Sequence, residues 1–170
     1  MTAIAKYLGR SRLVLALLLA LCAAALAGAF SAEHLFGIEP CVLCIYQRIP
    51  YAVVGALCLI GLVWTGGANW QWLILGLCAF GFLAESGIAI FHMGVEQHWW
   101  DGTAECAGSI PVGLSIDELR DMLTQAPPVR CDEIRWTLLG LSVTVYNTVI
   151  GLSAAAVAGM AAVLAKRGRA

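Results

Sequence analysis

Long apolar runs alternate with short charged intervals along this chain. Three runs carry no charge, Leu13 to Ala32, Ile49 to Ala84 and Trp136 to Ala165, and each reaches the about 20 apolar residues that a helix needs to cross a bilayer. The middle run is too long for one crossing, and Thr65-Gly66-Gly67-Ala68-Asn69 interrupts it with turn-forming residues. The pattern predicts four membrane helices, at about 13–32, 46–64, 70–92 and 138–165, joined outside the membrane by segments at about 33–45 and 93–137.

The second outer segment is too long for a bare connection. Within it, Ser115-Ile116-Asp117-Glu118 has the form of a helix capping box. Ile116, Leu119, Met122 and Leu123 then share one side, and Pro127-Pro128 stops the helix. Such a short amphipathic helix could lie flat on the membrane or pack on the bundle. The expected fold is all-α, a polytopic membrane four-helix bundle forming one domain over residues 1–170.

Composition agrees with lipid as the solvent: 61% of the 170 residues are hydrophobic and 12% charged, where a soluble domain carries about 25% charged. A formal charge of −1 offers no basic surface for nucleic acid. Lys6, Arg10 and Arg12 precede the first run, and Lys166, Arg167 and Arg169 follow the last. This asymmetry puts both termini in the cytoplasm. All acidic residues but Glu85 then fall outside. The basic start and the small-residue sequence Ala27 to Ala32 also resemble a signal peptide, but the apolar run exceeds the usual length of a signal core and favours a retained helix.

The topology sorts the seven cysteines. Cys22, Cys58 and Cys78 fall within membrane helices, where a thiol behaves as a small hydrophobe. Cys41, Cys44, Cys106 and Cys131 fall outside, where an oxidising compartment lets disulfides persist. Two pairs is the simplest assignment. Closing a Cys106 to Cys131 loop would stabilise by about 3.5 kcal/mol, but the short Cys41 to Cys44 loop by only about 2 kcal/mol before strain. The long pair could be structural, whereas the short pair needs another explanation. Cys-x-x-Cys at a helix N-terminus favours a thiolate and hence reactivity, and Arg48, four residues after Cys44, could stabilise that thiolate or a bound anion. Pro50 disfavours a regular helix back through Tyr46 and weakens the alignment. Covalent haem is excluded because Ile45, not His, follows Cys44. The four outer cysteines could supply a zinc site, but metal capture would compete with disulfides, so no metal is expected.

Glu-Pro-Cys-Val-Leu-Cys-Ile-Tyr-Gln-Arg at Glu39 to Arg48, four membrane helices, a long second outer segment with two separated cysteines, and Trp136 to Leu141 soon after Cys131 together resemble the DsbB family. The resemblance implies an inner-membrane thiol oxidase with periplasmic loops. In it the Cys106 and Cys131 disulfide oxidises a soluble DsbA-like partner, with Cys106 receiving the attack. Cys131 passes the electrons to the Cys41 and Cys44 disulfide through a Cys41 to Cys131 bridge, leaving Cys44 as a thiolate facing ubiquinone or menaquinone, with Arg48 supporting both. A DsbA-like partner sits near about −120 mV, so a glutathione-like pool would run the reaction backwards and a lipid-soluble quinone is the natural oxidant.

Further residues stand outside that scheme. His92, at the outer end of the third helix, could bond a quinone carbonyl or supply a proton, or could be an interfacial histidine satisfied by backbone or water. Glu85 is a functional candidate by its place in the membrane, or else a protonated group hydrogen-bonded inside the bundle. Trp99 and Trp100, after His98, suit membrane anchoring. A dedicated oxidase for one exported substrate, and a non-enzymatic four-span protein with a structural disulfide, are the competing functions; the latter leaves Cys41, Cys44 and Arg48 unexplained.

Overall fold

The computed structural model describes residues 10–63, 70–107, 115–116 and 129–167. The turn at 65–69 and the capping-box helix lie outside the described residues, apart from Ser115 and Ile116. Four long helices form: α1 (Ser11–Phe36), α2 (Val42–Val63), α3 (Gln71–Glu96) and, after a short turn α4 (Ala104–Ala107), α5 (Val143–Arg167). Each of the four is long and apolar enough to cross a membrane. α3 packs along α5, and α2 lies between α1 and α3.

The core gathers Leu15, Leu18 and Cys22 of α1, Val54 and Cys58 of α2, Leu75, Cys78 and Phe82 of α3, and Ala154, Ala158 and Ala161 of α5. The small residues of α5 let α3 approach closely, which is how helices associate where lipid removes the hydrophobic drive between them. Leu17, Phe80 and Val149 face outward, 62%, 71% and 58% exposed, as an apolar surface solvated by acyl chains requires. Among the core cysteines, the Cys58 and Cys78 sulfurs lie 3.7 Å apart, both fully buried.

Beside the buried Ser86, Glu85 is fully buried in α3. Gly151 of α5 makes room for it, since a Cβ there would stand 2.1 Å from Glu85 Oε2. Gly151→Ala should therefore destabilise the bundle by about 1–3 kcal/mol, and Glu85→Ala in the same chain should recover part of that loss. Unfolding in detergent by denaturant will show it; additive single-mutant effects would mean that the two residues do not share this space.

Four boundaries differ from those read off the sequence. α1 extends one turn further, to Phe36, where Gly37 in the left-handed conformation (φ 65°) ends it. α2 begins at Val42, not near Tyr46, and runs through Pro50 without a break; neighbouring helices make such prolines tolerable in a membrane bundle. α3 gains a turn, to Glu96. α5 starts at Val143 because Thr137–Leu138 and Leu141–Ser142 pair as a small antiparallel hairpin. Its two-residue turn places Leu139 (φ 50°) and Gly140 (φ 81°) in the left-handed region, the geometry that matches strand twist.

Arg12 and Lys166 lie at the end of the bundle opposite Cys41, Cys44, Cys106 and Cys131. Arg12 Nη2 donates to the Leu62 carbonyl at 2.8 Å, and Lys166 Nζ lies 5.2 Å from the Trp72 ring centre, at one end. At the other end α3 is capped by a reversal: His98 adopts φ 55°, and the amides of Gln97, His98 and Trp99 donate back to Met93, Val95 and Gly94. Trp100 folds onto α3, stacked on Phe91 with its Nε1 donating to the Phe91 carbonyl at 2.9 Å. Gly94 admits this ring, as a Cβ there would meet it at 2.0 Å. Trp99 remains 63% exposed.

Candidate redox site

Cys41 immediately precedes α2 and acts as its N-cap. Its carbonyl accepts from the Ile45 amide at 3.2 Å, and its sulfur accepts from the Cys44 amide at 3.4 Å, the bond that a capping serine would make to the third helical residue. Cys44 thus sits in the first turn, and the Cys-x-x-Cys spacing folds the two sulfurs to 3.0 Å, with Cys41 donating to Cys44.

The second pair joins this helix end from the long segment between α3 and α5. The Cys131 amide donates to the Cys106 carbonyl at 3.2 Å. Cys41, Leu43, Val95, Cys106 and Cys131 form one buried cluster, with Cys44 packed against it. The Leu43 amide bonds to the Cys131 sulfur, so successive amides at the start of α2 address Cys131 and Cys41. All seven cysteines are free thiols here. Burial first, and hydrogen bonding with Cys106 second, push the Cys131 thiol up.

Donation to Cys44, then burial, push the Cys41 thiol up to about 12, against a smaller opposing effect of His92. Alkylation follows the thiolate. Cys41 should therefore resist iodoacetamide near neutral pH in the reduced protein and label only as pH approaches that value, which peptide mass mapping can follow; rapid labelling of Cys41 at neutral pH would contradict the donor assignment.

His92 of α3 closes the inner side of the pair and is buried. Its Nε2 lies 3.5 Å from Cys41 Sγ and 3.8 Å from Glu96 Oε1, and its Nδ1 lies 3.0 Å from Gln47 Nε2. Glu96 Oε2 accepts from Ser142 Oγ and Thr144 Oγ1, each at 2.6 Å, which ties the C-terminal end of α3 to the start of α5. Gln47 Oε1 accepts from Asn147 Nδ2 at 2.6 Å, and Tyr51 donates to Asn147 Oδ1 at 3.5 Å.

Arg48 turns toward α1. Its guanidinium pairs with Glu33 at 2.5 Å and lies 5.0 Å from the Phe30 ring centre, while its buried Nε has no hydrogen-bond partner among the described residues. Among the described residues its ionic partner is thus Glu33 of α1.

The structure brings Cys41, Cys44, Cys106, Cys131 and His92 together, with Arg48 in the turn of α2 beyond Cys44. A further grouping was unforeseen: the Cys41 and Cys44 sulfurs and a ring nitrogen of His92 lie within 4.8 Å of one another, a spacing able to hold a metal ion. Sequence reasoning missed Glu33, Phe30, Gln47, Glu96, Ser142, Thr144 and Asn147. Polar residues at four-residue spacing beside the motif, Gln47 with Tyr51 and His92 with Glu96, were the available signal.

Comparison with known proteins adds three findings. A family model described as "Disulfide bond formation protein DsbB" matches residues 11–161. "Disulfide bond formation protein B" of Paracidovorax citrulli is 32% identical across 81% of this chain and 79% of its own length, and that of Acinetobacter baylyi is 30% identical across 68% and 69%. "Uncharacterized protein RP370" of Rickettsia prowazekii is 32% identical across 75% and 74%. No solved structure matches.

Proposed function

Because this chain belongs to the DsbB family of disulfide bond formation proteins, we propose that it reoxidises a periplasmic DsbA-like dithiol protein and passes the electrons to a membrane quinone. The observation that carries this reading is the meeting of both cysteine pairs at the N-terminus of α2.

A thiolate of the reduced partner attacks Cys106 of a Cys106–Cys131 disulfide. The partner–Cys106 bond forms and Cys131 leaves with the electron pair. Cys131, held at the start of α2, then attacks the Cys41 sulfur of the Cys41–Cys44 disulfide, and Cys44 leaves as the thiolate. In the fully reduced pair the Cys41 thiol donates to the Cys44 sulfur. The partner's second thiol then attacks its own cysteine in the mixed disulfide, releasing the oxidised partner and the Cys106 thiolate. Cys106 attacks Cys131 of the Cys41–Cys131 bridge, which remakes the Cys106–Cys131 disulfide and leaves Cys41 and Cys44 reduced, holding the two electrons that a quinone would accept as that pair closes.

A quinone, when bound, takes up two electrons and two protons. Arg48, Cys44 and His92 are the residues that would hold it. The Arg48 Nε, without a hydrogen-bond partner among the described residues, is a buried donor that a carbonyl oxygen suits, and Glu33 and Phe30 hold the guanidinium in place. Cys106 is buried, so partner attack requires the α4 turn to open. We place both termini in the cytoplasm of a bacterial inner membrane, in keeping with Arg12 and Lys166 at the end opposite the cysteines.

A DsbA-like protein lacking its resolving cysteine should accumulate as a mixed disulfide with Cys106, identified by peptide mass mapping. A mixed disulfide at Cys41 or Cys44 instead would defeat the proposed order.

A further inference from the structure

We propose that Gln47 and Asn147 are positioning residues that fix the His92 tautomer, with the ring proton on Nε2 and directed at Cys41. This rests on the reading of Cys41 and Cys44 as the redox pair, and adds to it the residues that orient the group beside them.

The inference follows hydrogen-bond directions through three links. The structure orients Asn147 with Oδ1 toward the Tyr51 hydroxyl at 3.5 Å and its amide nitrogen toward Gln47, donating to Oε1 at 2.6 Å. With its oxygen engaged, Gln47 presents Nε2, a donor only, to His92 Nδ1 at 3.0 Å. Nδ1 must then accept. A neutral imidazole that accepts at Nδ1 carries its hydrogen on Nε2, and Nε2 faces Cys41 Sγ at 3.5 Å with Glu96 Oε1 at 3.8 Å.

The consequence is a directed chain: His92 Nε2–H donates to Cys41, and the Cys41 thiol donates to Cys44. Successive hydrogen bonds polarise one another. In the fully reduced pair, donation into Cys41 therefore strengthens its own donation to Cys44. Gln47 and Asn147 act on this pair only through His92, from α2 and α5.

Substitutions that keep shape but reverse the donors test this. In Gln47→Glu, the carboxylate accepts and should pull a proton onto Nδ1. Asn147→Asp acts one residue further away: the carboxylate accepts from Gln47 Nε2, the amide turns over, and its oxygen then faces Nδ1. Nitrogen-15 NMR of histidine-labelled protein in nanodiscs reads the tautomer directly. A His34→Gln, His98→Asn background leaves His92 as the sole signal, asparagine being tolerant of the left-handed backbone at 98.

The expected spectrum before further substitution shows a protonated Nε2 and a bare Nδ1, and both reversing variants should show a protonated Nδ1. Quinol formation at saturating quinone should fall about tenfold in Asn147→Asp, as when a histidine loses its orienting partner, while partner exchange with Cys106 stays unchanged. A proton on Nδ1 before either substitution overturns the proposal, even if neither variant folds. An unchanged ring in a folded Asn147→Asp protein overturns it as well. If the unsubstituted protein forms no quinol yet shows the Nε2–H form, the electron route fails while the positioning assignment stands.

Discussion

Cys44→Ser should reduce steady-state oxidation of the partner to background, a loss of more than about a thousandfold, because without Cys44 no Cys41–Cys44 disulfide can form for Cys131 to attack. Serine in the first turn of α2 can still accept from Cys41, so the helix start should survive and the defect should be chemical. The same replacement at Cys22, Cys58 or Cys78 should leave turnover near normal at a cost of about 1–2 kcal/mol in stability, the scale for burying a hydroxyl among apolar groups. Partner oxidation under excess quinone, with circular dichroism to verify folding, separates the two classes. Normal turnover by Cys44→Ser would rule out the relay.

The second large effect is at Arg48. Removing the guanidinium takes away the buried Nε donor and leaves Glu33 without its counter-charge. A hydrogen bond involving a charged group contributes about 1.5–3 kcal/mol, so Arg48→Ala should raise the quinone concentration for half-maximal rate by about 10- to 100-fold. Arg48→Lys preserves a cation for Glu33 but not the planar fork; a milder defect would show that charge dominates, and an equal defect that geometry does. Single-turnover mixing separates mixed-disulfide formation from quinone absorbance. A variant slow only in the former would place Arg48 at the partner interface.

The four spans were legible because a bilayer imposes a length that uninterrupted apolar runs display directly. The separation of outer from inner cysteines followed from those spans, and the Cys-x-x-Cys at a helix start from the motif and its position. The start of α2 was harder to read: Cys41 caps it with sulfur where a hydroxyl or carboxylate is usual, and Pro50 argued for a break that neighbouring helices make unnecessary. The hairpin before α5 was hidden because Leu139 takes a left-handed conformation that leucine rarely adopts. His92 was visible as a candidate, but its setting depends on Gln47, Glu96 and Asn147, which three-dimensional packing alone brings together from α2, α3 and α5. Arg48 likewise stood out by spacing from Cys44, whereas its pairing with Glu33 depends on how α1 packs on α2.

Anaerobic incubation of the purified protein with a reduced DsbA-like dithiol protein and a soluble quinone, following quinol by absorbance and partner thiols by labelling, tests the central claim most directly. The account predicts one quinol for each partner disulfide formed, with turnover continuing until quinone is exhausted. Partner oxidation without quinol, or no oxidation beyond the disulfides the protein itself brings, would contradict it.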